Sequence, residues 1–195
     1  MAENAESPQP MLIVVTGRPG AGKTTLAHAL ARAVRCPAVC RDEIKEGVVN
    51  TLARQGRPGD EIERRVYEAF FETVELLLRR GVTLVAEAAF QHKNWAPKLE
   101  PLREIARVRI VLCDVDPQRA RSRHVERSAA DPERARFHHD RAMQADEAGR
   151  ALPIAEYDPP KIDGVPTLVV DTSDGYWPDF QAIVTFARGV AETTT

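Results

Sequence analysis

An α/β fold, with a parallel sheet covered by helices on both faces, is what this sequence predicts, and three observations lead there. Short apolar, β-branched runs recur along the 195 residues, and most are followed by a segment with helical periodicity. Those runs are almost continuously apolar rather than alternating, as in strands buried on both faces. Hydrophobic residues at 43% and charged residues at 29% are ordinary globular values, so the chain suffices for one well-buried domain and is short for two.

Residues 11 to 15 (MLIVV) are the first strand. From Lys23 the pattern turns helical, with Leu26, Ala27, Leu30, Ala31 and Val34 on one face. A short second strand covers 37 to 41, and Asp42 N-caps the helix DEIKEGVVNTLA. The QGRPG segment at 55 to 59 breaks that helix. Asp60 and Glu63 then make a capping-box-like start to a long helix reaching Arg80, striped by Val66, Phe70, Val74 and Leu77. Gly81 closes it, and VTLVAEA is the third strand, with Glu87 at its C-terminal end. A helix around Trp95 to Ala106 leads into the fourth strand, VRIVLCDV, with Asp114 at its end.

Asp116-Pro117 reads as an N-cap followed by proline at the first helical position of an arginine-rich helix over 117 to 129. Asp131-Pro132 signals a restart, and a second polar helix is expected over 132 to 149, the pair forming a lid over about 117 to 149. The proline-rich stretch 153 to 166 is an extended loop, 167 to 171 (TLVVD) the fifth strand, and 179 to 190 the last helix. Residues 1 to 10 read as a disordered arm, 11 to 190 as a single domain, and 191 to 195 as a frayed tail.

One segment organises the rest. Gly17 to Thr24, GRPGAGKT, fits G-x-x-x-x-G-K-[ST] between an apolar strand and an amphipathic helix, the spelling of a phosphate-binding P-loop. Gly17, Gly20 and Gly22 keep bulk out of the loop, so backbone N–H groups can face an anion above the positive end of the helix dipole. Gly17, Arg18, Pro19, Gly20, Ala21, Gly22, Lys23, Thr24 and Thr25 are therefore the candidate nucleotide cradle. Within it Lys23 reaches the β- and γ-phosphates, and the Thr24 hydroxyl ligates Mg²⁺. The fold class is thus a three-layer P-loop NTPase fold, a five-stranded parallel sheet with helices on both faces and an arginine-rich helical lid.

Such a site lies at the C-terminal edge of the sheet, which makes Asp42, Glu87, Asp114 and the loop after Asp171 candidates by position. Asp42 either accepts the proton of an attacking hydroxyl or only caps its helix; the two roles are compatible. Glu87 and Asp114, both at strand ends, compete for the metal. Glu87 is preferred, because the strand beside the P-loop strand usually supplies that acid, although Glu87 equally suits an acceptor substrate. Arg119, Arg123 and Arg127 recur every fourth residue on one helix face, suited to a transferring phosphoryl group or to pairing with nearby acids.

A net charge of −2 argues against a generally basic nucleic-acid binder. Cys36, Cys40 and Cys113 lack C-x-x-C spacing, and the five histidines show no metal-ligand spacing. An acidic, polar N-terminus and the absence of long apolar runs lead to the expectation of a reduced, cytoplasmic protein with no membrane partner.

The P-loop, the CRDEIKEGV segment, the AEAAF strand end and the spaced lid arginines resemble the AAA-domain "predicted kinase" group of small P-loop kinases. Its relatives are polynucleotide 5′-kinases, zeta toxins and chloramphenicol phosphotransferases, and the resemblance spans about residues 11 to 190. It implies that Asp42 is the general base, that Lys45 contacts phosphate or acceptor beside Arg41, and that Arg119, Arg123 and Arg127 grip ATP phosphates. It also implies that Ser173 and Gly175, in the loop after the fifth strand, bracket adenine. Glu87 stands where the group usually has aspartate.

The expected activity is ATP- and Mg²⁺-dependent transfer of a γ-phosphate to a hydroxyl of a small molecule, such as an antibiotic, nucleoside or sugar. A polynucleotide 5′-hydroxyl is the enzymatic alternative, and an ATP-binding switch with slow hydrolysis the alternative of another class. Oligomeric state is not legible in the sequence.

Overall fold

In the structure, a computed structural model, strand β1 (Met11–Gly17) is buried along its whole length at the centre of a parallel sheet of order β2-β3-β1-β4-β5. Its neighbours are β3 (Leu84–Glu87) and β4 (Arg107–Asp114), with β2 (Ala38–Cys40) and β5 (Thr167–Asp171) at the edges. The described residues are 9 to 52, 59 to 130 and 156 to 189. The break at 55 to 58, the second lid helix over 132 to 149, and the ends before 9 and after 189 lie outside them. Pro10 belongs to the fold, since its carbonyl accepts a hydrogen bond from the Arg107 amide.

Alternation along β1 divides the core. Met11, Ile13 and Val15 face α1 (Lys23–Val34) and, with Ile183 and Val184, the last helix, while Leu12 and Val14 face the opposite layer. That second layer holds α3 (Gly59–Arg79) and α4 (His92–Leu102), which bury Phe70, Phe71, Val74, Leu78, Trp95 and Leu99. Three layers result, as expected. Helix α2 (Arg41–Leu52) packs against α3, and α5 (Pro117–Ala130) follows β4. The last helix, α6 (Phe180–Arg188), starts at an Asp179 N-cap whose carboxylate accepts the Ala182 N–H at 2.8 Å.

Two local expectations are corrected. Helix α2 begins at Arg41, so Asp42 stands inside the first turn rather than at the N-cap. Helix α3 begins at Gly59, and Glu63 faces α2 instead of closing a capping box, because the half-buried Arg41 and the buried Lys45 claim its carboxylate. By contrast Asp116 caps α5 as read, accepting the Gln118 and Arg119 amides at 2.9 and 3.0 Å. Among the described residues, no helix is long and apolar enough to cross a membrane.

Candidate active site

The chain turns from β1 into α1 through a loop whose backbone demands glycine. Gly20 has φ +83°, and a Cβ there would lie 1.9 Å from the Ala120 carbonyl oxygen, so the loop sits directly against α5. Gly22, at φ 75°, is the N-cap of α1; it has no side chain to accept the first-turn N–H groups, and that turn carries no acid. A helix N-terminus left open in this way fits an anion.

Lys23 is 7% exposed; its ammonium donates to the Arg18 carbonyl at 3.1 Å and stands 3.9 Å from Glu87 Oε1. The Thr24 hydroxyl donates to Glu87 Oε2 at 3.1 Å. Glu87 comes to this point because β3 pairs directly with β1, in the register Val15 opposite Glu87. Burial pushes its carboxyl above the ordinary range, opposed by Lys23 and reinforced by Asp42, with the Thr24 bond a smaller lowering effect. A hydroxyl beside a buried carboxylate is an oxygen donor set suited to a hard divalent cation such as Mg²⁺. Asp114 makes no such contact: it is exposed, and its carbonyl receives the Thr172 amide and hydroxyl from the β5–α6 loop.

A cavity of about 110 Å³ opens between the loop and α2, lined by Pro19, Gly20, Gly22, Lys23 and Thr24 on one side and Arg41, Asp42 and Lys45 on another. Ala89, His124 and Arg127 complete its described lining. Arg41 reaches Asp42 Oδ1 at 3.0 Å, and Glu63 ties Arg41 and Lys45 together, accepting from Lys45 at 2.6 Å. The acceptor side therefore carries two cations and two carboxylates in mutual contact.

The predicted arginine trio divides. Arg127 lines the cavity beside the buried His124, at 3.4 Å from its Nδ1. Arg119 instead forks onto Asp174, and Arg123 donates to the Thr172 carbonyl at 2.9 Å and to that of Ser173. Both thereby hold the β5–α6 loop, which contains Ser173 and Gly175, rather than reaching the cradle. Thr25 is exposed and outside the described lining of the cavity.

Sequence reasoning missed what stands behind the cradle. Thr16, immediately before Gly17, donates to the Ala88 carbonyl at 2.8 Å and accepts from the Trp95 indole at 3.1 Å. The Tyr157 hydroxyl lies 2.7 Å from the same oxygen and donates to the Phe90 carbonyl at 3.1 Å. Trp95 and Phe90 are thus occupied in an aromatic cluster with Phe70 and Phe71, as core packing would have them. No local pattern marks Tyr157, since its partners lie 141 and 67 residues away.

Burial raises the Tyr157 phenol from its ordinary 10.0 to about 12. The stability it contributes is complete below pH 10 and is lost as pH climbs through about 12, because the unfolded chain releases the proton first. Tyr157→Phe should lower unfolding stability by about 1–3 kcal/mol at neutral pH by stranding buried acceptors. The gap from wild type should narrow in that alkaline window; denaturant melts of both proteins check this, and equal stability at neutral pH would remove the anchor.

Comparison with known proteins places this geometry. The family described as AAA domain matches residues 12–149. Among solved structures, a candidate kinase from Chloroflexus aurantiacus J-10-fl is 28% identical, with TM-score 0.73, over 95% of this chain and 100% of that one. A gluconokinase from Sinorhizobium meliloti 1021 is 17% identical, with TM-score 0.54, over 95% and 96% of the two chains. The Mycobacterium tuberculosis APS kinase CysC, solved with AMPPNP and APS, is 17% identical with TM-score 0.54, over 94% and 98%. No curated protein matches. With a glycine loop that an anion fits, a buried lysine within it and a family match over most of its length, this chain belongs to the AAA domain family and is a small P-loop kinase, a nucleotide-binding phosphotransferase.

Proposed function

We propose that this kinase uses ATP with Mg²⁺ and transfers the γ-phosphate to a hydroxyl group of a small molecule, such as an antibiotic, nucleoside or sugar. One observation carries the reading: Lys23 of the P-loop and Asp42 of α2 line the same cavity. The loop amides and Lys23 hold the phosphates, and Asp42 takes the acceptor's hydroxyl proton as its oxygen attacks phosphorus. Thr24 and Glu87 would hold the cation, which would supply neutralisation of phosphate charge. Arg127 is the lid cation best placed for the transferring group, while Arg119 and Arg123 order the loop of Ser173 and Gly175 that would flank the adenine.

A small acceptor is favoured over a polynucleotide because Arg41 and Lys45 are already matched by Asp42 and Glu63, so those two cations carry no surplus charge for a phosphate backbone. The test is ATP consumption with and without a panel of sugars, nucleosides, hydroxylated antibiotics and a 5′-hydroxyl oligonucleotide. Stimulation by one of the small molecules is the expected result. Stimulation by the oligonucleotide alone would replace this reading with a polynucleotide 5′-kinase, and ATP use indifferent to every acceptor would replace it with a nucleotide switch.

A further inference from the structure

Although neither histidine nor cysteine has metal-ligand spacing in the sequence, folding gathers one of each beside a carboxylate. His28 is one turn past Thr24 on α1, Cys40 is the last residue of β2, and Glu43 lies in the first turn of α2. His28 Nε2 is 2.7 Å from Glu43 Oε1 and 3.8 Å from Cys40 Sγ, and the three donor atoms all lie within 4.8 Å of one another. None of the three residues belongs to the described lining of the phosphate cavity. We propose that His28 Nε2, Cys40 Sγ and the Glu43 carboxylate form a binding site for a zinc-class transition-metal ion, separate from the Mg²⁺ position at Thr24 and Glu87.

The distances suit coordination. Tetrahedral bonds of about 2.0–2.1 Å to nitrogen and 2.3 Å to sulfur set the two donors roughly 3.6 Å apart. The observed 3.8 Å is close to that. Imidazole nitrogen and carboxylate oxygen would stand about 3.3 Å apart on the same ion, so the His28–Glu43 hydrogen bond opens by roughly half an ångström as the metal replaces its proton. Glu43 can supply that movement, because its side chain is 51% exposed at the surface. With His28 also 40% exposed, the ion would reach solvent, leaving a fourth position for water.

Donor chemistry sets the class of ion. A thiolate with an imidazole selects zinc, cobalt or copper over the hard cations that oxygen ligands favour. Local charge works in the same direction. The Cys40 thiol is pushed well above its ordinary range, by burial first and then by the carboxylates of Glu87, Glu43 and Asp42. The negative field that opposes a bare thiolate favours an arriving cation; metal–sulfur bond formation then releases the thiol proton to solvent. An ion here would tie α1 to the turn that carries Asp42.

The test is titration of Co²⁺ into the full-length protein, followed by absorption. Binding of one equivalent should bring a thiolate-to-cobalt charge-transfer band in the near ultraviolet and the visible bands of a tetrahedral site, both displaced by Zn²⁺. Cys40→Ser should abolish the charge-transfer band and Cys36→Ser should keep it, while His28→Ala and Glu43→Gln weaken binding about tenfold or more. Zn²⁺ should raise the unfolding midpoint of wild type but not of His28→Ala. No charge-transfer band, or one that persists in Cys40→Ser, overturns the site. Should Cys40→Ser fail to fold, His28→Ala decides, and unchanged affinity in that variant overturns it equally.

Discussion

Lys23→Ala is expected to lower turnover by about 10²–10³-fold or more while leaving a folded protein, because its ammonium is buried within the phosphate cradle and lines the cavity. The loop keeps its shape without it. Gly17, Gly20 and Gly22 set the backbone, and the Ala21 N–H donates a hydrogen bond to the Arg18 carbonyl. What the substitution disturbs is Glu87, buried with Lys23 as the opposing charge. Burial already raises that carboxyl, so its folded form favours the proton; loss of Lys23 raises it further, and neutralisation limits the damage. A raised acid contributes stability below its unfolded value and loses it as pH rises through the folded value. The stability gap between wild type and Lys23→Ala should therefore widen as pH rises through the raised folded value of that carboxyl. Steady-state ATP turnover and denaturant melts across a pH series measure both effects. Unchanged turnover would remove the phosphate role, and a constant gap would uncouple Lys23 from Glu87.

Asp42→Asn should depress phosphoryl transfer by about 10²–10⁴-fold while leaving nucleotide affinity near wild type. The carboxylate faces the cavity from α2, on an element other than the cradle that binds the phosphates. Asparagine preserves the shape and removes only the capacity to take a proton. Structural cost should be small, since the Arg41–Asp42 pair is partly exposed and such pairs contribute at most about 1 kcal/mol. Arg41 also keeps its bond to Glu63. The comparison is kcat with a saturating acceptor against the dissociation constant for ATP. Parallel losses in the two would mean that Asp42 shapes the start of α2 rather than the reaction.

Legibility divides along the range of the contacts. The strand, loop and helix from Met11 to Val34 could be read because a phosphate cradle needs glycines at set spacings between an apolar strand and an amphipathic helix, and all of that is local. Glu87 could be placed because the end of an apolar run becomes the edge of the sheet. The same logic misjudged Asp42, where the helix starts one residue earlier than its capping chemistry suggests. It also misjudged Glu63, which answers to Arg41 and Lys45 from α2 and not to its own helix start. Equal spacing of Arg119, Arg123 and Arg127 concealed that the first two turn to the β5–α6 loop and the third to the cavity.

By itself, then, the sequence determined the layered parallel fold, the phosphate cradle and the strand-end acid, because hydrophobic period and glycine placement act over a few residues. Only the tertiary structure decided which arginine shares the cavity, that Tyr157 stands behind Thr16, and that His28, Cys40 and Glu43 converge. Those outcomes depend on strand order and helix docking, which bring together side chains from separate elements at distances that no local pattern encodes.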